Sequence, residues 1–299
     1  MCLIFSFPGS ERLAKKIASK LGLKLGEAEI RHFPDGETYI RIDSDIKDKE
    51  LVLITSLDHP DTKAMGIMFF ANLAKELGAK TITLVSPYLG YMRQDKKFKE
   101  GEVITSRIFA KFLSEQVNSL ITVDPHLHRY KSLSEIYSIP TTVLHATTTI
   151  ADWAKTNIAK PLFIGPDEES EQWVKKVAEL SDAPYIVLKK IRHGDKNVEV
   201  SLPNVDKYRK HTPVLVDDII STARTMIETV EHLNKAGMKA PICIGVHAIF
   251  AGDAYQNLQN SGVGRVVTCN CIEHETNAID LSEIIAKELK VRFNHASCY

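Results

Sequence analysis

Short runs of apolar and β-branched residues alternate along the chain with segments that repeat apolar positions every three or four residues. This alternation is typical of βαβ units and a largely parallel sheet. In the first helical segment Leu13, Ile17 and Leu21 recur at that spacing, Ser10 is placed to cap the helix, and Gly22 is placed to end it. The predicted buried strands are residues 51–54, 81–85, 119–123, 162–164, 214–216, 242–246 and 265–268. We therefore expect an α/β fold.

A weak internal repeat indicates that an α/β unit is duplicated. Residues 72–80 read NLAKELGAK, residues 232–239 read HLNKAGMK, and each segment precedes a predicted strand. Each also follows an earlier strand and loop, so the order strand, loop, helix, Gly-x-Lys, strand occurs twice. Chance similarity of two ordinary helix ends is the alternative. The repeat predicts two domains, residues 1–143 and 144–299.

Composition contributes mainly by exclusion. The 299 residues include 38 basic and 38 acidic side chains, so no field of one sign would attract nucleic acid or an anionic membrane. We recognise no signal peptide and no apolar run near the roughly 18 residues of a membrane span. The five cysteines lack paired C-x-x-C spacing, which disfavours a disulfide framework and structural zinc. We expect a cytoplasmic protein without nucleic-acid or membrane partners.

The most informative segment is residues 214–225, which read VLVDDIISTART. An apolar strand leads into two carboxylates, a loop of small and hydroxyl-bearing residues, and a helix that Thr225 and Glu228 could open as a capping box. Backbone amides at such a helix start can bind a phosphate monoester together with the hydroxyls. The carboxylates would repel that phosphate, so they should face sugar hydroxyls or a cation. Plain Mg²⁺ ligation and a solvated turn are the alternatives.

This segment resembles the loop that binds 5-phosphoribosyl 1-diphosphate (PRPP) in phosphoribosyltransferases and ribose-phosphate pyrophosphokinases. The loop alone does not separate the two activities. Residues 32–37, HFPDGE, resemble the adenine loop of the pyrophosphokinases, where an aromatic ring can stack on a purine; a plain Pro-Asp-Gly turn is the alternative. Residues 87–97, PYLGYMRQDKK, follow a buried strand and resemble a second family segment, in which Arg93 offers a planar donor fork to phosphate or stacks on adenine.

Three shorter matches complete the resemblance. Residues 123–128, VDPHLH, are similar to a segment whose histidine contacts ATP phosphate and magnesium in the family. Residues 165–170, GPDEES, resemble a segment whose aspartate ligates the metal, and one carboxylate plus substrate phosphates is sufficient for Mg²⁺. Residues 188–192, LKKIR, resemble the catalytic flap, although alternate basic residues are also found on exposed edge strands.

The matches run from Ser6 to the last predicted strand in the family's order. They imply two phosphoribosyltransferase-type α/β domains, each a mainly parallel sheet flanked by helices, with ATP held by the first and ribose 5-phosphate by the second. They also imply Mg²⁺ as cofactor and a homo-oligomer. The implied catalytic residues are Lys190, Arg192 and His126; the ATP-binding residues Phe33, Asp35, Glu37, Arg93, Gln94, Asp95 and His126; the ribose-5-phosphate-binding residues Asp217, Asp218, Ser221, Thr222, Ala223 and Thr225; and the metal ligands His126 and Asp167.

The implied activity is transfer of the diphosphoryl group of ATP to the 1-hydroxyl of ribose 5-phosphate. A PRPP-consuming phosphoribosyltransferase is one alternative, but it leaves residues 33–37 and 93–95 without a role. A catalytically silent regulatory homologue is another, because Arg224 stands where most of the family has glycine. Arginine tolerates a positive φ poorly, so we expect an ordinary backbone at Arg224 and a side chain directed outward or towards a neighbouring subunit.

Overall fold

The computed structural model describes residues 2–165, 170–193, 197–201 and 205–296. The chain divides into two compact units. The first unit opens with a parallel sheet in the order β1-β4-β5-β6-β7, and a separate antiparallel hairpin joins β2 to β3. Its elements are β1 (Cys2–Ser6), α1 (Glu11–Leu21), β2 (Ala28–His32), β3 (Thr38–Ile42), β4 (Glu50–Ile54), α2 (Pro60–Glu76), β5 (Thr81–Ser86), α3 (Thr105–Gln116), β6 (Ser119–Val123) and β7 (Thr141–Leu144).

The second unit, residues 145–281, repeats this plan. Its parallel sheet has the order β9-β8-β12-β13-β14-β15, and β10 and β11 form a separate antiparallel hairpin. Its elements are α4 (Thr147–Asn157), β8 (Pro161–Gly165), α5 (Glu171–Leu180), β9 (Tyr185–Val187), β10 (Lys189–His193), β11 (Asn197–Ser201), β12 (Thr212–Ile220), α6 (Arg224–Lys235), β13 (Ile242–Ala248), α7 (Ala254–Asn260), β14 (Arg265–Cys269) and β15 (Asn277–Ile279). The last helix is α8 (Ser282–Ala296).

The two sheets confirm the internal duplication. Strands β1, β4, β5, β6 and β7 correspond in order to β8, β12, β13, β14 and β15, and a hairpin precedes the second strand of each series. The two repeated segments of the sequence are the ends of α2 and α6, and each leads into the next parallel strand. All seven predicted strands are present. The fold is therefore two α/β units of the same topology.

The last helix does not belong to the unit that precedes it in the sequence. Helix α8 follows β15 but packs against α1 in the first unit, and α4 follows β7 but packs against α5 in the second. The expected division into residues 1–143 and 144–299 places α8 in the second domain, whereas the first unit comprises residues 2–144 together with α8. Sequence proximity therefore does not assign α8 to its unit, whereas α4 lies in the half of the chain where it was expected.

Each sheet is buried on both faces, which is why its strands read as continuous apolar runs. In the first unit Leu53 packs with Phe70 of α2 and Phe109 of α3, while Val52 and Ile54 are fully buried on the other face. In the second unit Leu215 of β12, Met226 of α6 and Leu258 of α7 are buried in one hydrophobic core. No helix in the described ranges is long and apolar enough to cross a membrane.

The first helix follows the expectation at one end only. Gly22 adopts the left-handed conformation with φ 64° and its N–H donates to the carbonyls of the last turn, as predicted. Ser10 occupies the N-cap position, but its hydroxyl makes no capping bond. It is buried and instead accepts a hydrogen bond from the Ser56 N–H at 3.3 Å, so a tertiary contact displaces the local cap.

Candidate active site

The segment singled out by its two carboxylates lies at the carboxyl end of β12. Contrary to expectation, the strand does not stop before the carboxylates: it continues through Asp217 and Asp218 to Ile220, because β12 pairs with β13 as far as Ala248. Both carboxylate residues are half-buried. The connecting loop is therefore only Ser221–Ala223, which we call the phosphate loop.

The phosphate loop ends in a sharp left-handed turn. Ala223 has φ 57° and ψ 6° and serves as N-cap of α6, which begins at Arg224. The N-cap residue is an alanine, whose side chain cannot cap the helix, so the predicted capping box of Thr225 and Glu228 is wrong. Thr225 is the second residue of the helix because Ala223 turns the chain into it directly. The first N–H groups of an α-helix have no partner within the helix and can bind an anion.

Arg224 lies in the first turn of α6, with a helical backbone and an exposed side chain. The expectation of a negative φ at this position is confirmed. The left-handed residue that the loop requires is its neighbour Ala223. Glycine is therefore not needed at residue 224.

A glycine lies beside the first carboxylate on the neighbouring strand. Gly245 pairs with Asp217 across β12 and β13. A Cβ atom at Gly245 would come within 2.6 Å of the Ile220 side chain. A side chain at this position would therefore force the Ile220 side chain to move. Gly245 leaves the space that the Ile220 side chain occupies beside the end of β12.

In the first unit the segment after β5 is anchored by a buried carboxylate. The Asp95 side chain is 2% exposed, and its Oδ1 accepts a hydrogen bond from Arg129 Nη1 at 2.8 Å. The Tyr130 hydroxyl donates to the Asp95 carbonyl at 3.2 Å and lies 2.9 Å from the Ser106 hydroxyl. The second carboxylate oxygen of Asp95 is buried and has no hydrogen-bond partner among the residues that the structure describes. Asp95 thus ties the segment after β5 to the segment after β6.

This anchor leaves its neighbours closer to solvent. Arg93 is exposed and Gln94 is half-buried, with the Gln94 carbonyl accepting from the Ser106 N–H at 3.3 Å. His126 lies in the segment after β6, half-buried, with its ring 6.1 Å from that of His128. Nothing in the sequence pattern singles out Arg129, because its partner is 34 residues away.

The predicted adenine loop is the turn of the β2–β3 hairpin. The Gly36 N–H donates to the Phe33 carbonyl, and Gly36 has φ 93°, as a tight Pro-Asp-Gly turn requires. Phe33 is 41% exposed and lies 5.8 Å from Tyr39. The Arg31 guanidinium lies 4.7 Å from the Phe33 ring centroid. The turn therefore presents an aromatic face beside a cation, together with the exposed Asp35 and Glu37.

The remaining candidates are only partly described. Lys190 and Arg192 belong to strand β10, which pairs with β11 in a two-stranded antiparallel hairpin. That backbone is compatible both with a flap and with an edge strand. Asp167 lies outside the described residues.

Backbone strain marks the carboxyl edges of both sheets. Tyr91 follows β5, Asp124 follows β6, Ala223 follows β12 and Phe250 follows β13, and all four have positive φ without being glycine. Each such conformation costs about 1 to 3 kcal/mol and persists only where the surroundings hold it. Open α/β sheets bind ligands at this edge. These four residues therefore lie at the sheet edges where a ligand would be expected, whereas the other three such residues in the described ranges, Asp48, Lys160 and Asp182, precede strands.

Comparisons with known proteins agree with this geometry. Residues 2–116 match the family model described as the N-terminal domain of ribose phosphate pyrophosphokinase. Residues 132–283 match the phosphoribosyl transferase domain model. The ribose-phosphate pyrophosphokinase of Methanobrevibacter smithii is 31% identical over 301 residues, covering 96% of this chain and 100% of the relative. That of Saccharolobus solfataricus is 32% identical over 295 residues, with 96% and 100% covered.

A solved structure shares the whole fold. The crystal structure of phosphoribosylpyrophosphate synthetase from Mycobacterium smegmatis superimposes with a TM-score of 0.84 at 21% identity, covering 98% of this chain and 99% of the other. The family models match both units, and the relatives match over nearly their full length. The chain belongs to the ribose-phosphate pyrophosphokinase family.

Proposed function

We propose that this protein transfers the diphosphoryl group of ATP to the 1-hydroxyl of ribose 5-phosphate, giving PRPP and AMP. The observation that carries the proposal is the phosphate loop. A three-residue loop lies between two half-buried carboxylates and the uncapped start of α6, which suits a phosphate attached to a polyhydroxylated sugar. Membership of the pyrophosphokinase family selects this reaction from those that share the loop.

In this reaction the sugar 1-oxygen forms a bond to the β-phosphorus of ATP. The bond between that phosphorus and the bridging α,β-oxygen breaks, AMP leaves with the bridging oxygen, and the 1-hydroxyl loses its proton. Phosphoryl transfer is catalysed mainly by positioning and by neutralising charge on the transferring group. The protein groups therefore need to orient the two substrates and exclude water.

The second unit would orient ribose 5-phosphate. The amides at the start of α6 and the hydroxyls of Ser221, Thr222 and Thr225 would bind its phosphate. Asp217 and Asp218 would face the sugar hydroxyls, since a carboxylate beside the phosphate would repel it. Ala223 contributes the left-handed turn that brings these groups together.

The first unit would orient ATP. Phe33 would stack on adenine, with Asp35 or Glu37 accepting from its amine, and Arg93 and Gln94 would hydrogen-bond to the nucleotide. Asp95 is buried against Arg129, so we propose that it positions Arg93 and Gln94 and does not contact ATP itself.

Lys190 and Arg192 would neutralise charge on the diphosphoryl group directly. His126, the third proposed catalytic residue, would do so through Mg²⁺, because His126 and Asp167 are the proposed ligands of that cation. Within the described residues no three histidine, cysteine or acidic side chains form a metal cage. Mg²⁺ fits such a sparse site because it keeps several waters and binds through one or two carboxylates and substrate phosphates. When bound, it would reduce the negative charge on the diphosphoryl group.

The decisive experiment is an assay for AMP formation from Mg-ATP, with and without ribose 5-phosphate. AMP and PRPP in equal amounts, only when the sugar phosphate is present, are expected. A phosphoribosyltransferase would instead release diphosphate from PRPP and a nucleobase. A silent homologue would bind ribose 5-phosphate without turnover. Either result would contradict the proposal.

Two further properties are proposed from the family resemblance. One is a homo-oligomer, which sedimentation velocity would test; exposed Met65 and Phe69 on α2 and Ile108 on α3 are available for contact. The other is a cytoplasmic location, which fractionation of the source cells would test.

A further inference from the structure

The segment after β13 holds the back of the phosphate loop. The Phe250 N–H donates to the Ile220 carbonyl at 2.9 Å, and the Ala251 N–H donates to the Ser221 carbonyl at 3.1 Å. Two consecutive amides thus fix two consecutive carbonyls at the point where β12 becomes the loop. The position of the loop therefore depends on where residues 250 and 251 are held.

Phe250 makes these contacts from an unfavourable backbone conformation. Its φ is 39°, in the left-handed region that a bulky side chain rarely adopts. Such a residue keeps its conformation only when its surroundings outweigh the strain. The contacts that the Phe250 side chain makes hold the backbone in this conformation.

The Phe250 ring belongs to a three-ring cluster. Its centroid lies 4.7 Å from His274 and 5.1 Å from Tyr255, and His274 and Tyr255 are 4.9 Å apart, nearly perpendicular. Tilted and edge-on arrangements at these distances are the favourable ones for aromatic pairs. Phe250 also packs against the core of the second unit. Both contacts resist movement of its backbone.

His274 is itself immobilised. Its Nδ1 accepts a hydrogen bond from the Thr276 N–H at 3.3 Å and lies 2.9 Å from the Thr276 hydroxyl. The Thr276 hydroxyl is 2.8 Å from that of Thr268 on β14, and both residues are buried. Burial lowers the pKa of His274, which favours the neutral ring in this apolar cluster. The cluster is therefore fixed to the sheet through β14.

We propose that Phe250 is a positioning residue for ribose 5-phosphate. Its ring, clamped by His274 and Tyr255, holds the backbone of residues 250 and 251, whose amides place the phosphate loop. Phe250 does not touch the substrate and acts only through Ile220 and Ser221. The assignment of this substrate rests on the proposed function.

Phe250→Ala tests the proposal by separating the two substrates. We expect the KM for ribose 5-phosphate to rise about tenfold or more, because small displacements of a binding group are costly, while kcat and the KM for ATP change by less than about threefold. Phe250→Tyr keeps the ring and should restore the KM to within about threefold of wild type. Amide hydrogen exchange in residues 219–225 should accelerate in Phe250→Ala and not in Phe250→Tyr.

Tyr208→Ala is the matched control. Tyr208 packs on the same core and contacts a histidine edge-on, His211 at 5.3 Å, but it precedes β12 at the opposite end of the strand. Both the ribose 5-phosphate KM and the exchange in residues 219–225 should stay near wild type. A similar response of both variants would mean general destabilisation and overturn the proposal.

His274→Ala gives an independent test if Phe250→Ala does not fold. It removes one clamp from the Phe250 ring, so the same rise in KM is expected, by about threefold to tenfold. An active wild type whose variants keep a normal ribose 5-phosphate KM overturns the positioning role. A wild type that makes no AMP overturns the proposed function instead, and the exchange rates alone then decide whether Phe250 holds the loop.

Discussion

The two units share a topology but differ in one loop, which joins β4 to α2 in the first unit and β12 to α6 in the second. In the first unit the loop between β4 and α2 is filled by its own chain: the Leu57 N–H donates to the Tyr88 carbonyl at 2.8 Å, and Leu57 is fully buried. Lys63 Nζ donates to the Ser56 carbonyl at 2.7 Å and pairs with Asp58. The Lys63 ammonium thus binds the Ser56 carbonyl and the Asp58 carboxylate within the loop.

Within the part of the chain that the structure describes, the phosphate loop of the second unit is held by the segment after β13. Phe250 and Ala251 bind the carbonyls of Ile220 and Ser221, and Thr222 is exposed. Neither α6 nor α2 has a capping bond from its N-cap side chain, but α2 begins with Pro60, which has no N–H to offer an anion. The same framework therefore carries two different loops: the first is closed by contacts within its own unit, and the second leads into a helix whose first amides can bind an anion.

The hairpins of the two units should differ most in their effect on turnover. We expect Lys190→Ala and Arg192→Ala in the β10–β11 hairpin each to lower kcat by roughly 10² to 10⁴, the range for losing a charge-stabilising group. Arg41→Ala in the β2–β3 hairpin removes an exposed cation that pairs with Glu29 and Asp43, and its kcat should change by less than about threefold. Steady-state kinetics measures both. Near-normal kcat in both flap variants would remove the flap from the mechanism.

Substitution of carboxylates in the two loops should have different effects, on substrate binding in the second unit and on stability in the first. Asp217→Asn and Asp218→Asn should raise the KM for ribose 5-phosphate by about tenfold or more, because a charge-assisted hydrogen bond is lost, and leave ATP affinity nearly intact in calorimetry. Asp58→Asn in the closed loop should instead lower the melting temperature and leave both substrates unaffected, since Asp58 pairs with Lys63. Loss of ATP affinity with normal ribose 5-phosphate affinity in the Asp217 and Asp218 variants would reverse the assignment of the two units.

A more modest effect is expected at the anchor of the first unit. Asp95→Asn should lower the free energy of unfolding by about 1 to 2 kcal/mol, because its charge-assisted hydrogen bond to Arg129 is weakened. The effect is at the low end for such a bond, since Arg129 is partly exposed to solvent. The KM for ATP should rise by about threefold to tenfold as Arg93 and Gln94 lose their support, whereas the KM for ribose 5-phosphate should not. Denaturant unfolding and kinetics measure the two effects. Equal changes in both KM values would contradict a role confined to ATP.

The smallest effect is expected at Arg224. Its side chain is exposed and its backbone is already helical, so Arg224→Gly should leave the KM for ribose 5-phosphate within about threefold of wild type. Loss of a direct charge-assisted phosphate contact would cost roughly 1.5 to 3 kcal/mol, more than tenfold in KM. That KM, measured at saturating Mg-ATP, decides whether Arg224 is a substrate ligand.

The sequence alone determined the strands, the duplication and the family. Strands buried on both faces are continuous apolar runs, and helices carry their period locally, so neither needs a distant partner to be recognised. Gly22 ends its helix and residues 33–37 form a tight turn for the same reason, since both depend on the conformational preferences of one or two residues.

Packing between distant segments sets the details of the sites and the unit to which the last helix belongs. The Ser10 hydroxyl does not cap α1, because it accepts a hydrogen bond from the Ser56 N–H. Strand β12 continues to Ile220 because it pairs with β13. Asp95 meets Arg129, and Phe250 holds Ile220, across separations that carry no periodic signal. Such contacts are set by packing after the strands have assembled, so local sequence preferences do not reveal them.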